Sequence, residues 1–155
     1  MDLGTIIIGV VGITLCAIPF VVTNRIKKKK EKELLNSLQE IAKQNDCEIS
    51  DYETCGCYAI GIDTPKKAIS FVSRTDEGYL KQQFVDLSTI KKCEIANISR
   101  SSSGNSIDKL NLNFTPIAKN SANSILEFYN SKINYQLSGE YQSIEKWNKL
   151  INSIL

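Results

Sequence analysis

The sequence predicts an α+β protein with four parts in order. They are an N-terminal transmembrane helix, an amphipathic linker helix, a seven-stranded antiparallel barrel and a C-terminal helix that caps it. Three observations carry this expectation. Leu3 to Val22 hold 20 residues without a charge. Short runs with apolar residues at every second position follow after Asp46. An apolar stripe at helical spacing closes the sequence. The implied boundaries are 1–24 for the anchor, 25–46 for the basic juxtamembrane and amphipathic helix, and 47–155 for the β domain with its helix.

The first run reads LGTIIIGVVGITLCAIPFVV. At about 1.5 Å rise per residue, a helix of this length matches a hydrocarbon core about 30 Å thick. Asp2 precedes it and the lysines follow, the reverse of a secretory signal peptide, so a retained single-pass anchor is expected. Arg25, Lys27, Lys28, Lys29, Lys30 and Lys32 form the membrane-interface block. Basic residues stay on the cytoplasmic side, by the positive-inside rule. That places the N-terminus outside and the C-terminal domain in the cytoplasm. Thr5, Gly9, Gly12 and Cys16 share one helical face, a small-residue stripe suited to helix self-association and hence to a homo-oligomer.

Charge is concentrated in that block. Residues 25–33 carry six basic and two acidic side chains, and residues 34–155 carry 13 and 14. A near-neutral body argues against nucleic acid as a partner. Leu34, Leu35, Leu38, Ile41 and Ala42 then repeat at helical spacing, with Asn45 and Asp46 as a stop. This face would dock on the following domain or pair with a second copy.

The strands are expected at CYAIGID, AISFVS, GYLKQQFVDL, KKCEIANIS, DKLNLNFTP, ILEFYN and INYQL, with CEISDYE as an eighth. Tyr58, Ile60 and Ile62 alternate with Ala59, Gly61 and Asp63. Turns fall at Thr64-Pro65-Lys66-Lys67 and Thr75-Asp76-Glu77-Gly78, and a loop at Ser101–Asn105. Ser138, Gly139 or Ser143 would start the last helix. Its stripe is Tyr141, Ile144, Trp147, Leu150, Ile151 and Ile154.

Seven antiparallel strands followed by a helix containing EKWNKLI resemble the pleckstrin-homology-like domains over residues 47–155. The pieces YAIGID, FVDLSTIKKCEI and ILEFYN behind an anchor are also similar to small uncharacterised bacterial single-span membrane proteins. The resemblance implies fold and location and no activity. Pleckstrin-homology domains that bind phosphoinositides often carry early basic loops, for which Lys66-Lys67 and Lys91-Lys92 are weak counterparts; solvated turn residues describe them better.

No histidine is present, so the commonest general base is missing. No phosphate-binding glycine loop occurs. Asp63, Asp76, Glu77 and Asp86 sit at expected turns or strand ends. No catalytic residue, enzyme activity or cofactor is therefore expected. Cys47, Cys55, Cys57 and Cys93 are the candidate metal ligands, through a four-thiolate zinc site. Their one C-x-C spacing lacks the paired knuckles of structural zinc sites, and packing as small apolar groups is the plainer role. The function expected is a membrane-anchored cytoplasmic interaction module that binds a protein partner or the membrane surface. The alternatives are a thiolate metal or redox module and a structural subunit of a membrane complex. The partners expected are the lipid bilayer and a membrane or cytoplasmic protein.

Overall fold

The computed structural model describes residues 3–99 and 106–155. Within the first helix, the side chains of residues 3, 5, 6, 9, 12–17 and 20 also lie outside the description. The chain divides into two units, Met1–Glu33 and Leu34–Leu155.

A single helix, α1 (Leu3–Gln44), runs through the expected anchor and the expected linker helix. Pro19 lies inside it. The Thr23 hydroxyl donates to the Pro19 carbonyl at 2.8 Å. The expected transmembrane helix is not upheld: among the described residues, no helix is long and apolar enough to cross a membrane. Within α1, charge begins at Arg25. No described stretch reaches the roughly 20 continuous apolar residues that a crossing needs. The single-pass membrane topology rested on that span, as did the outside N-terminus and the cytoplasmic domain, and all three fall with it. The stripe Thr5, Gly9, Gly12 and Cys16 consists of residues whose side chains are not described.

In the second unit, strands β1 (Asp51–Cys55), β2 (Tyr58–Asp63), β3 (Ala68–Arg74) and β4 (Leu80–Asp86) form one antiparallel sheet in chain order. Strands β5 (Ile90–Ile98), β6 (Lys109–Pro116) and β7 (Ser124–Asn130) form a second. Helix α2 (Glu140–Ile154) follows. This corrects the expected seven-stranded, pleckstrin-homology-like barrel: two separate sheets of four and three strands replace a single closed one. The physical break is at Asp86. Its carboxylate accepts from the Ser88 amide at 2.9 Å and starts a 3-10 turn, Leu87–Thr89, that carries the chain out of the first sheet. Leu87 is buried beneath that turn.

The expected eighth strand, CEISDYE, pairs with shifted bounds as DYETC, an edge strand with one neighbour among the described residues. INYQL is not a strand. The amides of Ile133 and Asn134 return to the Asn130 carbonyl at 3.0 Å, which closes a turn instead of extending a strand.

Side chains of both sheets and α2 meet in one core. Tyr58, Phe71 and Phe128 pack together at its centre with ring centroids 4.6 to 5.5 Å apart, Phe71 stacked on the other two and Tyr58 tilted against Phe128. Leu110, Leu112 and Phe114 enter from β6, in the alternation expected of that strand. Trp147, Ile144 and Ile151 close it from α2. Of the two expected starts, Ser138-Gly139 is the one used: Gly139, at φ 126°, is the N-cap of α2, without a side-chain cap bond. Ser143 lies within the helix and accepts the Tyr58 hydroxyl at 2.6 Å inside the core.

The other face of the first sheet is covered as well. Leu34, Leu38 and Ile41 of α1 pack on Ala59 and Val72, with Leu35, Ile49, Leu80 and Phe84 around them. Burying three such side chains contributes on the order of 5–9 kcal/mol before entropy is counted. All six residues of β2 are therefore buried, Ala59, Gly61 and Asp63 as well as Tyr58, Ile60 and Ile62. Gly61 makes the approach possible. A Cβ there would lie 3.1 Å from the Ile49 side chain and 3.2 Å from that of Leu38.

Candidate functional site

The four cysteines of the body are spread over several places. Cys47 is buried with Ala42 and Ala68 behind the first sheet. Cys93 belongs to the core between the sheets, and Cys55 packs against that core from the end of β1. Gly56 adopts φ 52°, so Gly56-Cys57 turns the β1–β2 hairpin, and the two thiols do not share one strand face. Cys57 instead lines a small cavity with Arg74, Glu127 and Glu140. Among the described residues no group of three or more metal-ligating side chains converges. Burial pushes the Cys47 and Cys55 thiols up, and that of Cys93 up to about 12, which disfavours the thiolate a metal or redox role needs.

The loop lysines have local partners. Lys66 donates to the Asp46 carbonyl and Lys67 to that of Ile154. Lys92 pairs with Glu94 at 2.5 Å. Of the carboxylates, Asp63 is buried and accepts the Lys66 and Glu48 amides at 3.0 and 2.8 Å. These bonds hold its carboxyl below the ordinary value. Both Asp63 and Asp86 thus organise turns. Arg25, Lys27, Lys28, Lys29, Lys30 and Lys32 are all exposed on α1.

Polar contacts fasten α2 at its first turns. Glu53 Oε2 accepts from Trp147 Nε1 and Lys146 Nζ, each at 2.9 Å. Burial raises the Glu53 carboxyl, but those bonds outweigh it and leave it below its ordinary value. Glu140 is 1% exposed and accepts from the Ser138 amide and from Asn134. It fits beside the hairpin only because residue 56 is glycine: a Cβ there would lie 2.6 Å from its Oε1.

The feature suited to binding lies elsewhere, where β4 meets the β6–β7 connection. A groove of about 520 Å³ is lined by Phe84, Val85, Ile90, Pro116, Ile117 and Ala122, among others. That volume is in the range of ligand pockets. Ile117 is 62% exposed. Its amide donates to the Thr89 carbonyl at 2.9 Å, which fixes the connection against the 3-10 turn. Gln83 Nε2 donates to the Ile125 carbonyl at 2.9 Å, tying β4 to β7 beside the groove.

One wall is also a sheet edge. The Leu87 amide bonds the Lys67 carbonyl, so odd-numbered residues of β4 address β3. By the alternation of an antiparallel ladder, the main chain of Phe84 points away from β3. The groove therefore offers apolar walls beside a strand edge. Asp86 is the one charged residue in the lining.

Sequence reasoning missed this site, since its walls come from residues 84–90 and 116–124. One signal was present: Pro116-Ile117-Ala118 is apolar within the otherwise polar segment PIAKNSANS. No protein-family model, curated protein or solved structure matches the chain.

Proposed function

We propose that residues 34–155 form a non-catalytic interaction module that holds an extended, uncharged apolar segment of a partner protein in the β4 groove. The observation that carries this is the exposed Ile117 beside the β4 edge, over a groove of about 520 Å³. An extended segment placed there would set its main chain against Phe84 and its side chains against Ile90, Pro116 and Ile117, which is strand addition with an apolar pocket. The near-absence of charge in the lining selects against charged peptides, because burying an unpaired charge is costly.

The test is selection from a random peptide library on the full chain. Enriched peptides should be apolar and uncharged at their shared positions. Ile117→Lys and Ala122→Arg should each weaken binding by about tenfold or more, equivalent to 1.4 kcal/mol. Tyr135→Ala, at a position 94% exposed and outside the groove lining, should leave it unchanged. No enrichment, or peptides indifferent to both groove substitutions, would remove the proposal.

A further inference from the structure

Helix α1 carries a dense set of exposed large apolar side chains in the first unit. Ile7, Ile8, Val10, Val11, Ile18, Val21, Val22 and Ile26 are each between 48% and 74% exposed. Among the described side chains, at 3.6 residues per turn, these eight fall within a sector of about 160°. Scattered apolar side chains on a surface need no explanation, but eight on one helix between residues 7 and 26 do. Directly after it come Arg25, Lys27, Lys28, Lys29, Lys30 and Lys32, all exposed, against Glu31 and Glu33.

Charge discriminates between the possible covers. A second copy of this helix would cover the apolar sector, but its own residues 25–33 carry a net +4 and do not neutralise the basic block. Side by side in parallel, it would add another +4 against the first. An anionic phospholipid surface meets both needs. Its acyl boundary accepts the apolar sector, and its phosphates face the lysines, whose long stems let the ammonium groups reach the headgroups.

We propose that residues 7–32 of α1 bind the surface of an anionic phospholipid bilayer, with the apolar sector at the acyl boundary and the basic block among the headgroup phosphates. Two signals of this kind reinforce each other, since either alone gives only marginal attachment. The inference is independent of the β4 groove.

The test is sedimentation of the full chain with vesicles of phosphatidylcholine alone and of phosphatidylcholine with phosphatidylserine. Binding should be much stronger to the anionic vesicles and should fall as salt shortens the Debye length. Each Lys→Gln change at Lys27, Lys28, Lys29 and Lys30 should cost about fivefold in partitioning, and all four together on the order of several hundredfold. Val10→Ser with Val11→Ser should weaken binding to both vesicle types. Unchanged emission from buried Trp147 would show the second unit intact in every variant. Equal binding to both vesicle types, no binding to either, or a lysine-insensitive dimer in place of vesicle binding would each overturn the proposal.

Discussion

Replacing Glu53 probes how α2 is fastened to the first sheet. One carboxylate oxygen serves two donors, the Trp147 indole and the Lys146 ammonium. The lysine side chain is 55% exposed, so its ion pair contributes about 0–1 kcal/mol. The indole belongs to a fully buried tryptophan, and a stranded N–H there costs about 1–3 kcal/mol. Glu53→Ala should therefore lose roughly 1.5–3.5 kcal/mol, and Glu53→Gln, which keeps an acceptor, about 0.5–1.5 kcal/mol. Urea unfolding followed by Trp147 emission measures both, because the chain has one tryptophan. The pH dependence has a fixed sign. The folded carboxyl lies below its ordinary value of 4.5, so its contribution is present above that value and lost as pH falls through the folded value. In acid the wild-type chain should converge on Glu53→Gln. Alanine within about 0.5 kcal/mol of wild type at neutral pH would refute the fastening argument, as would a gap to glutamine that ignores acid.

Other outcomes follow from the same packing. Leu38→Ala should cost about 2–5 kcal/mol in urea unfolding, and a loss under 0.5 would mean that α1 does not hold the first sheet. Asn152 accepts from the Cys93 amide and donates to the Cys93 carbonyl, so it shields the edge of β5. Asn152→Ala should speed amide exchange at Cys93 and promote association in sedimentation velocity; unchanged exchange would sink that role. Asp63→Asn should destabilise by about 1–2 kcal/mol at neutral pH, with the difference fading in acid, because the native carboxyl is held low by the Lys66 and Glu48 amides. Cys93 should resist alkylation in the native chain at about pH 8, and rapid labelling would contradict its burial.

Some of this architecture was legible and some was not, for identifiable reasons. DKLNLNFTP alternates so strictly that its inward set could be named, and EKWNKLI marked the closing helix, because both patterns are local. The partition into two sheets depends on which strands pair, and no local pattern encodes that. Ala59 and Gly61 alternated with larger residues, and their smallness is the signature of a helix lying close over them. Cys55-Gly56-Cys57 looked like one strand, yet a positive φ at Gly56 bends it into a turn and takes Cys57 out of the strand. The apolar run from Leu3 suggested a membrane span that the described residues do not sustain. The groove was invisible because its walls lie about thirty residues apart in the chain.

The contacts of α2 set an order of construction. Ser143 meets Tyr58 across 85 residues, and Trp147 meets Glu53 across 94. Each strand, by contrast, pairs only with its neighbour in sequence. Such local hairpins can form early, while distant contacts wait on the chain. During synthesis the aromatic centre at Tyr58, Phe71 and Phe128 thus stays open to solvent and to other chains until α2 has left the ribosome. The interval before that release is when a nascent copy is most vulnerable to aggregation.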